Sequence, residues 1–85
     1  MKKYQLQLSP KTVKNLRRIN QKDRLRIAKV LLSLQEQPYQ GKKLEGELRG
    51  LWSVRVWPFR IVYRVIRQCL IVLVINVARR KDVYR

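Results

Sequence analysis

From Leu51 to Val77 the chain is three stretches rich in β-branched, aromatic and aliphatic residues, interleaved with Ser53, Arg55, Arg60, Arg64 and Asn76 and separated at Trp57-Pro58 and Arg67-Gln68. Runs of this length with so little between them leave consecutive antiparallel strands as the expected structure. The strands are predicted at about Leu51 to Val56, Phe59 to Ile66 and Cys69 to Val77, with a tight two-residue hairpin at Arg67-Gln68 joining the last two. Side chains alternate across a strand, so the sequence also sorts the faces. Trp52, Val54 and Val56 fall on one side and Ser53 and Arg55 on the other. In the next strand Ile61, Tyr63 and Val65 face one way and Arg60, Val62 and Arg64 the other. One face of the sheet is therefore apolar and fit to receive helices, while the opposite face gathers Arg55, Arg60 and Arg64.

The first half supplies those helices. Tyr4, Leu6 and Leu8 alternate with Gln5 and Gln7, the pattern of a half-buried strand. Ser9-Pro10 reads as a cap followed by a first helical residue, and Val13, Leu16 and Ile19 give that helix its apolar stripe. Asn20 to Asp23 are polar turn formers. Leu25, Ala28, Leu31 or Leu32, and Leu34 then mark a second helix that ends before Pro38. Pro38 to Gly50 holds all three glycines of the chain and reads as a loop or an irregular approach to the sheet. The order βααβββ predicts a single α+β domain over residues 1–85, a helical hairpin packed on one face of a small, mostly antiparallel sheet. The pairing of the first strand is left open by the sequence.

Charge limits the class of partner. Lysine and arginine number 21 against 5 aspartates and glutamates, a net +16 on 85 residues. Self-repulsion of this size opposes compaction and points to an anionic partner, a nucleic acid or an acidic protein. From Arg49 onward nine cations face a single carboxylate, Asp82. No apolar segment follows Met1-Lys2-Lys3, so no signal peptide is expected. The longest apolar run, Cys69 to Ile75, is far short of the roughly 20 residues a membrane span requires. A cytoplasmic protein is expected, with Cys69, the only cysteine, packed in the core and unable to form an internal disulfide.

Several segments resemble, in order and spacing, the RelE/ParE superfamily of bacterial toxins, and more closely its RelE-like messenger-RNA interferases. They are Ser9-Pro10 after the opening strand, Lys43-Leu44 with Gly46, Leu51-Trp52-Ser53-Val54-Arg55-Val56, Phe59-Arg60-Ile61-Val62-Tyr63, and the closing Val77-Ala78-Arg79-Arg80-Lys81-Asp82-Val83-Tyr84. The resemblance implies a RelE-like fold. It also implies a ribosome-dependent endoribonuclease in which the messenger 2′-hydroxyl attacks its adjacent phosphate in the A site, leaving a 2′,3′-cyclic phosphate and a 5′-hydroxyl. Arg60 corresponds to the family's strand arginine, Arg80 to the arginine of the closing segment, and Tyr84 to its terminal tyrosine. Arg55 stands where these toxins often carry a second basic residue. Two positions depart from the pattern: Ser53 replaces a lysine of the well-studied member, and Arg79 replaces a frequent histidine or lysine.

The residues present agree with that chemistry. Without any histidine, a two-histidine ribonuclease mechanism is excluded, and five scattered carboxylates with one cysteine offer no ligand set for a metal. Positioning and cationic stabilisation of a phosphorane remain, for which arginine's planar fork is well suited. The resemblance makes Tyr84 the base, its phenol eased toward ionisation by Arg55, Arg79 and Arg80. Arg80 then stabilises charge on the leaving 5′-oxygen, since a guanidinium is a poor proton donor. Arg85 follows directly after Tyr84, so no long C-terminal helix is expected over the site. Lys42, Lys43, Arg49, Arg64, Arg79 and Lys81 are assigned to RNA binding by backbone charge, as are Lys11, Lys14, Arg17 and Arg18 on the first helix. Trp52 is expected in the core and Trp57 at the exposed strand end. No cofactor is expected.

The expected partners are the ribosome with its messenger and an acidic, RelB-like antitoxin in a heteromeric complex. Two other functions share the fold: a ParE-like poison of DNA gyrase, which would not need Arg60, Arg80 and Tyr84, and a non-toxic basic RNA-binding module, which the departure at Ser53 keeps open.

Overall fold

A computed structural model of the chain describes residues 3–79. Its elements run β1 (Gln5–Leu8), α1 (Pro10–Arg18), α2 (Gln21–Leu34), β2 (Lys42–Lys43), β3 (Trp52–Val56), β4 (Phe59–Ile66) and β5 (Ile71–Arg79). The five strands form one sheet in the order β1-β5-β4-β3-β2, antiparallel except where β1 lies parallel to β5. This is the expected helical hairpin on one face of a mostly antiparallel sheet, with two additions: the first strand pairs with the last, and a two-residue edge strand, β2, emerges from the glycine-containing segment. Two residues are too few for a period of two to show in a sequence. Among the described residues no helix is long and apolar enough to cross a membrane.

The core sits between sheet and helices. Val56 and Phe59 flank the Trp57-Pro58 turn, which contains a cis peptide bond, and Ile61, Tyr63, Val72, Val74 and Val77 extend the apolar face. Ile27, Leu31 and Leu34 of α2 cover it. Their i, i+4, i+7 spacing defines the buried stripe, and Leu25 and Leu32, expected to mark that stripe, lie on the other side of the helix at 58% and 60% exposure. Asn20 to Asp23 form a helix start and not a turn: the Asn20 side chain caps α2 by accepting the Asp23 N–H at 2.9 Å.

Ser9 caps α1 as its sequence predicts, accepting the Thr12 N–H, but the buried residue of α1 is Thr12 and Val13 is exposed. The reason lies in β5. Tyr63 pairs with Val74 and Val62 with Asn76, so Ile75 is an extra residue, a β-bulge. The bulge carbonyls need partners, and α1 provides them: Ser9 Oγ donates to the Ile75 carbonyl at 2.8 Å and Thr12 Oγ1 to the Val74 carbonyl at 3.1 Å. One inserted residue also reverses the alternation. Val72 and Val74 before it and Val77 after it all reach the core, while Asn76 and Ala78 join the face of Val62 and Arg60.

Cys69 departs from expectation as well. It is exposed, in a short 3₁₀ turn (Arg67–Cys69) that replaces the predicted two-residue hairpin, and Leu70 follows it in the left-handed conformation at φ 55°. The apolar run therefore divides, its first residues making the turn and β5 beginning at Ile71.

Gly41 holds β2 against β3. A Cβ built there would lie 2.5 Å from the Ser53 carbonyl oxygen and 2.7 Å from the Tyr63 hydroxyl, which accepts the Gly41 N–H at 3.1 Å. Backbone cannot yield as a flexible side chain does, so Gly41→Ala should cost about 1–3 kcal/mol. For a domain of this size each kcal/mol lowers Tm by roughly 4–8 °C. Thermal denaturation followed by circular dichroism checks this, and an unchanged Tm would show that β2 is not clamped.

Candidate functional site

The β3–β4 register decides which cations meet. Arg55 is the direct cross-strand partner of Arg60, Ser53 of Val62, and Lys42 of Ser53. Partners in an antiparallel pair project to the same side with Cβ atoms about 5 Å apart. Lys42, Ser53, Arg55 and Arg60 thus share the face turned away from the helices, where with Gln40, Gly41 and Val54 they line a groove of about 300 Å³. Arg64 lies further along the same face, exposed and opposite Leu73.

Among the described residues the groove is electropositive and uncompensated. Among the described residues the ion pairs are Lys3 with Glu36 and Arg26 with Asp23, and neither touches it. Like charges directly opposite across strands destabilise an antiparallel pair, and Arg55 and Arg60 are such a pair. Beside them Ser53 is 2% exposed and its hydroxyl has no hydrogen-bond partner among the described residues. A buried hydroxyl left unpaired costs about 1–3 kcal/mol. A fold that keeps both a repulsive pair and an orphan donor in one groove is suited to a ligand bearing several anionic oxygens. Burial raises the phenol of Tyr63 above its ordinary value, the Gly41 N–H acting the other way.

Other residues assigned to RNA lie elsewhere. Lys43 pairs with Trp52, so it projects from β2 opposite to Lys42, and with Arg49, Leu44, Glu45 and Gly46 it lines a separate hollow. Arg79 pairs with Phe59 on the helix-facing side, its guanidinium 5.6 Å from the ring centroid. With Lys11, Asn15 and Arg18 of α1 it borders a second cavity of about 450 Å³. Trp57 is exposed at 58%, and Trp52 packs against the core in an edge-to-face contact with Tyr39. Arg80, Lys81 and Tyr84 lie outside the described residues. Gln40 and Gly41 were missed by the sequence reading, and the glycine immediately before a lysine pair was the available signal.

Comparison with known proteins places this arrangement. Residues 6–84 match the family model described as ParE toxin of type II toxin-antitoxin system, parDE. The chain belongs to this toxin family. No curated protein matches it by sequence. Among solved structures, the toxin–antitoxin complex RelBE2 from Mycobacterium tuberculosis superimposes with a TM-score of 0.86 at 24% identity, covering 96% of this chain and 97% of that one. The isolated E. coli RelE toxin gives 0.79 at 26% identity, covering 89% and 83%. The archaeal RelE–RelB complex from Pyrococcus horikoshii OT3 gives 0.81 at 20%, covering 94% and 98%. The fold of this toxin is that of RelE-like proteins, and the chain is the toxin component of a RelE/ParE-type type II toxin–antitoxin system.

If Arg55 and Arg60 repel in the free toxin, Arg55→Gln should not lower Tm, and at low salt should raise it by a few degrees as a cross-strand strain of about 0.2–1 kcal/mol is relieved. The gain should shrink as salt screens the wild-type pair. Melting curves from low to high ionic strength test this; a clear loss of stability in Arg55→Gln would contradict it.

Proposed function

We propose that this toxin is a ribosome-dependent endoribonuclease that cuts messenger RNA without a metal, by attack of a 2′-hydroxyl on the adjacent phosphodiester. The observation that carries the reading is the Arg55–Arg60 rung in a groove with no compensating carboxylate among the described residues. A phosphodiester gains charge as it becomes a phosphorane, and two guanidinium donors rising from one rung of a hairpin are placed to stabilise that charge. Arg60 and Arg55 take the non-bridging oxygens. In keeping with the family resemblance, Tyr84 accepts the 2′-hydroxyl proton and Arg80 offsets charge on the departing 5′-oxygen. The bond formed is O2′–P and the bond broken P–O5′; the departing 5′-oxygen takes a proton from water, giving a 2′,3′-cyclic phosphate and a 5′-hydroxyl.

Such a set lacks a histidine, so its rate depends on the substrate arriving already aligned. The ribosome provides that alignment. The cations Lys11, Lys14, Arg17 and Arg18 of α1, with Lys43, Arg49, Arg64, Arg79 and Lys81, bind ribosomal RNA through its backbone charge. RelE-type toxins are solved in complex with RelB antitoxins, and an acidic RelB-like segment is the partner that a +16 domain calls for. Its association should slow as salt rises.

Purified toxin added to ribosomes programmed with a defined messenger should yield A-site cuts ending in 2′,3′-cyclic phosphate, and naked RNA should be cut far more slowly. Arg60→Ala and Arg55→Ala should each lower the single-turnover rate by about 10²–10³, by analogy with loss of one oxyanion donor. Primer extension maps the cuts. Uncut messenger together with inhibition of DNA gyrase would replace this reading with the ParE-like one.

A further inference from the structure

The groove holds two groups that the phosphorane chemistry above does not use, Lys42 and Ser53. We propose that they form a single phosphate-binding element, Ser53 donating its hydroxyl to a non-bridging oxygen of the RNA and Lys42 supplying the positive charge above it. The inference rests on the ribonuclease reading for the identity of the phosphate as one of a messenger.

Lys42 and Ser53 are direct cross-strand partners, and the same groove is lined by Arg55 and Arg60. The ammonium and the hydroxyl therefore project to the side on which the arginines stand. Ser53 is closed off from water and yet has no hydrogen-bond partner among the described residues. Hydroxyl protons rotate freely to reach any acceptor within range, so a buried serine without one is unusual and marks a site completed by something else. The groove beside it is lined by Lys42, Arg55 and Arg60, whose long side chains can close around an anion brought to the hydroxyl.

The third observation is Gly41. Only hydrogen fits there, because a Cβ would meet the Ser53 carbonyl and the Tyr63 hydroxyl. This close approach lets a strand of two residues stay paired to β3 and hold Lys42 over Ser53. The groove thus presents a cation from β2 and a neutral donor from β3 side by side.

The test compares four variants for thermal stability and for affinity toward a short 2′-O-methyl oligoribonucleotide, which cannot be cleaved. Ser53→Ala should melt at the same temperature as wild type or higher, since it removes an unpaired hydroxyl, while binding several-fold more weakly. Lys42→Ala should weaken binding on the order of tenfold, and Lys42→Ala combined with Ser53→Lys should bring affinity back toward wild type. Lys3→Ala, which removes an equal charge beside Glu36, should change affinity less than twofold. The pair is overturned if Ser53→Ala loses stability along with affinity, or if Lys42→Ala binds no more weakly than Lys3→Ala. Single-turnover cleavage on programmed ribosomes separates the two readings. The expected ranking of affinities in a protein that cuts nothing upholds the pair and removes the ribonuclease; cleavage by the wild type with Ser53→Ala and Lys42→Ala equal to it does the reverse.

Discussion

The register of the β3–β4 hairpin is the constraint on which core and site both depend. Two residues, Trp57-Pro58, join the strands, so Val56 must oppose Phe59 and every later rung follows. With that register, Val54 and Ile61, then Trp52 and Tyr63, line up beneath the helices, and Arg55 meets Arg60 on the opposite side. A slip of one residue would put arginines into the core and valines into water. Burial of the apolar face fixes the register, and the fixed register then forces two like charges together. Burial on one side of the sheet thus determines which cations share the other side.

The β5 bulge extends this logic across the sheet. Without Ile75 as an inserted residue, Val77 would turn out of the core, and Ala78 would no longer stand beside Arg60. The hydroxyls of Ser9 and Thr12 satisfy the bulge carbonyls, so the start of α1 and the phase of β5 stabilise each other. This coupling explains why a threonine, and not the valine beside it, is the wholly buried residue of α1. At the far edge Gly41 does similar work for β2. The groove is thus underlain by backbone pairing from β2 through β4, which gives its cations fixed origins while their ends remain free to close on a ligand.

Much of this was legible in the residues. Alternation in Phe59–Ile66 gave the strand with its true ends and both faces, because Phe59, Ile61 and Tyr63 are buried toward the helices while Arg60 and Arg64 mark the other face, on which Val62 is buried as well. Ser9-Pro10 gave the start of α1 by its capping chemistry. Three kinds of feature were not legible. Leu25 and Leu32 are as apolar as Leu31 and Leu34, and only the position of the sheet decides which pair is buried. The bulge cannot be seen in Cys69 to Ile75, since an unbroken apolar run fits either phase; the same ambiguity misplaced Cys69 in the core. Lys42 looked like one more loop lysine because β2 arises from Gly41's fit against Ser53 and Tyr63, a tertiary contact. For the groove, the sequence supplied Arg55 and Arg60 through alternation, while Lys42 and Gly41 required the register.

The central claim is that Arg55 and Arg60 act together on one phosphate. The direct measurement is NMR of the two guanidinium Nε–H groups, assigned by substitution, while an uncleavable 2′-O-methyl oligoribonucleotide is added. The account predicts that both signals shift along one saturable curve with a common Kd and become slower to exchange with water as each gains a charge-assisted hydrogen bond. If instead the arginines of α1 respond while Arg55 and Arg60 stay at their free positions through saturation, the groove is not where this toxin holds RNA.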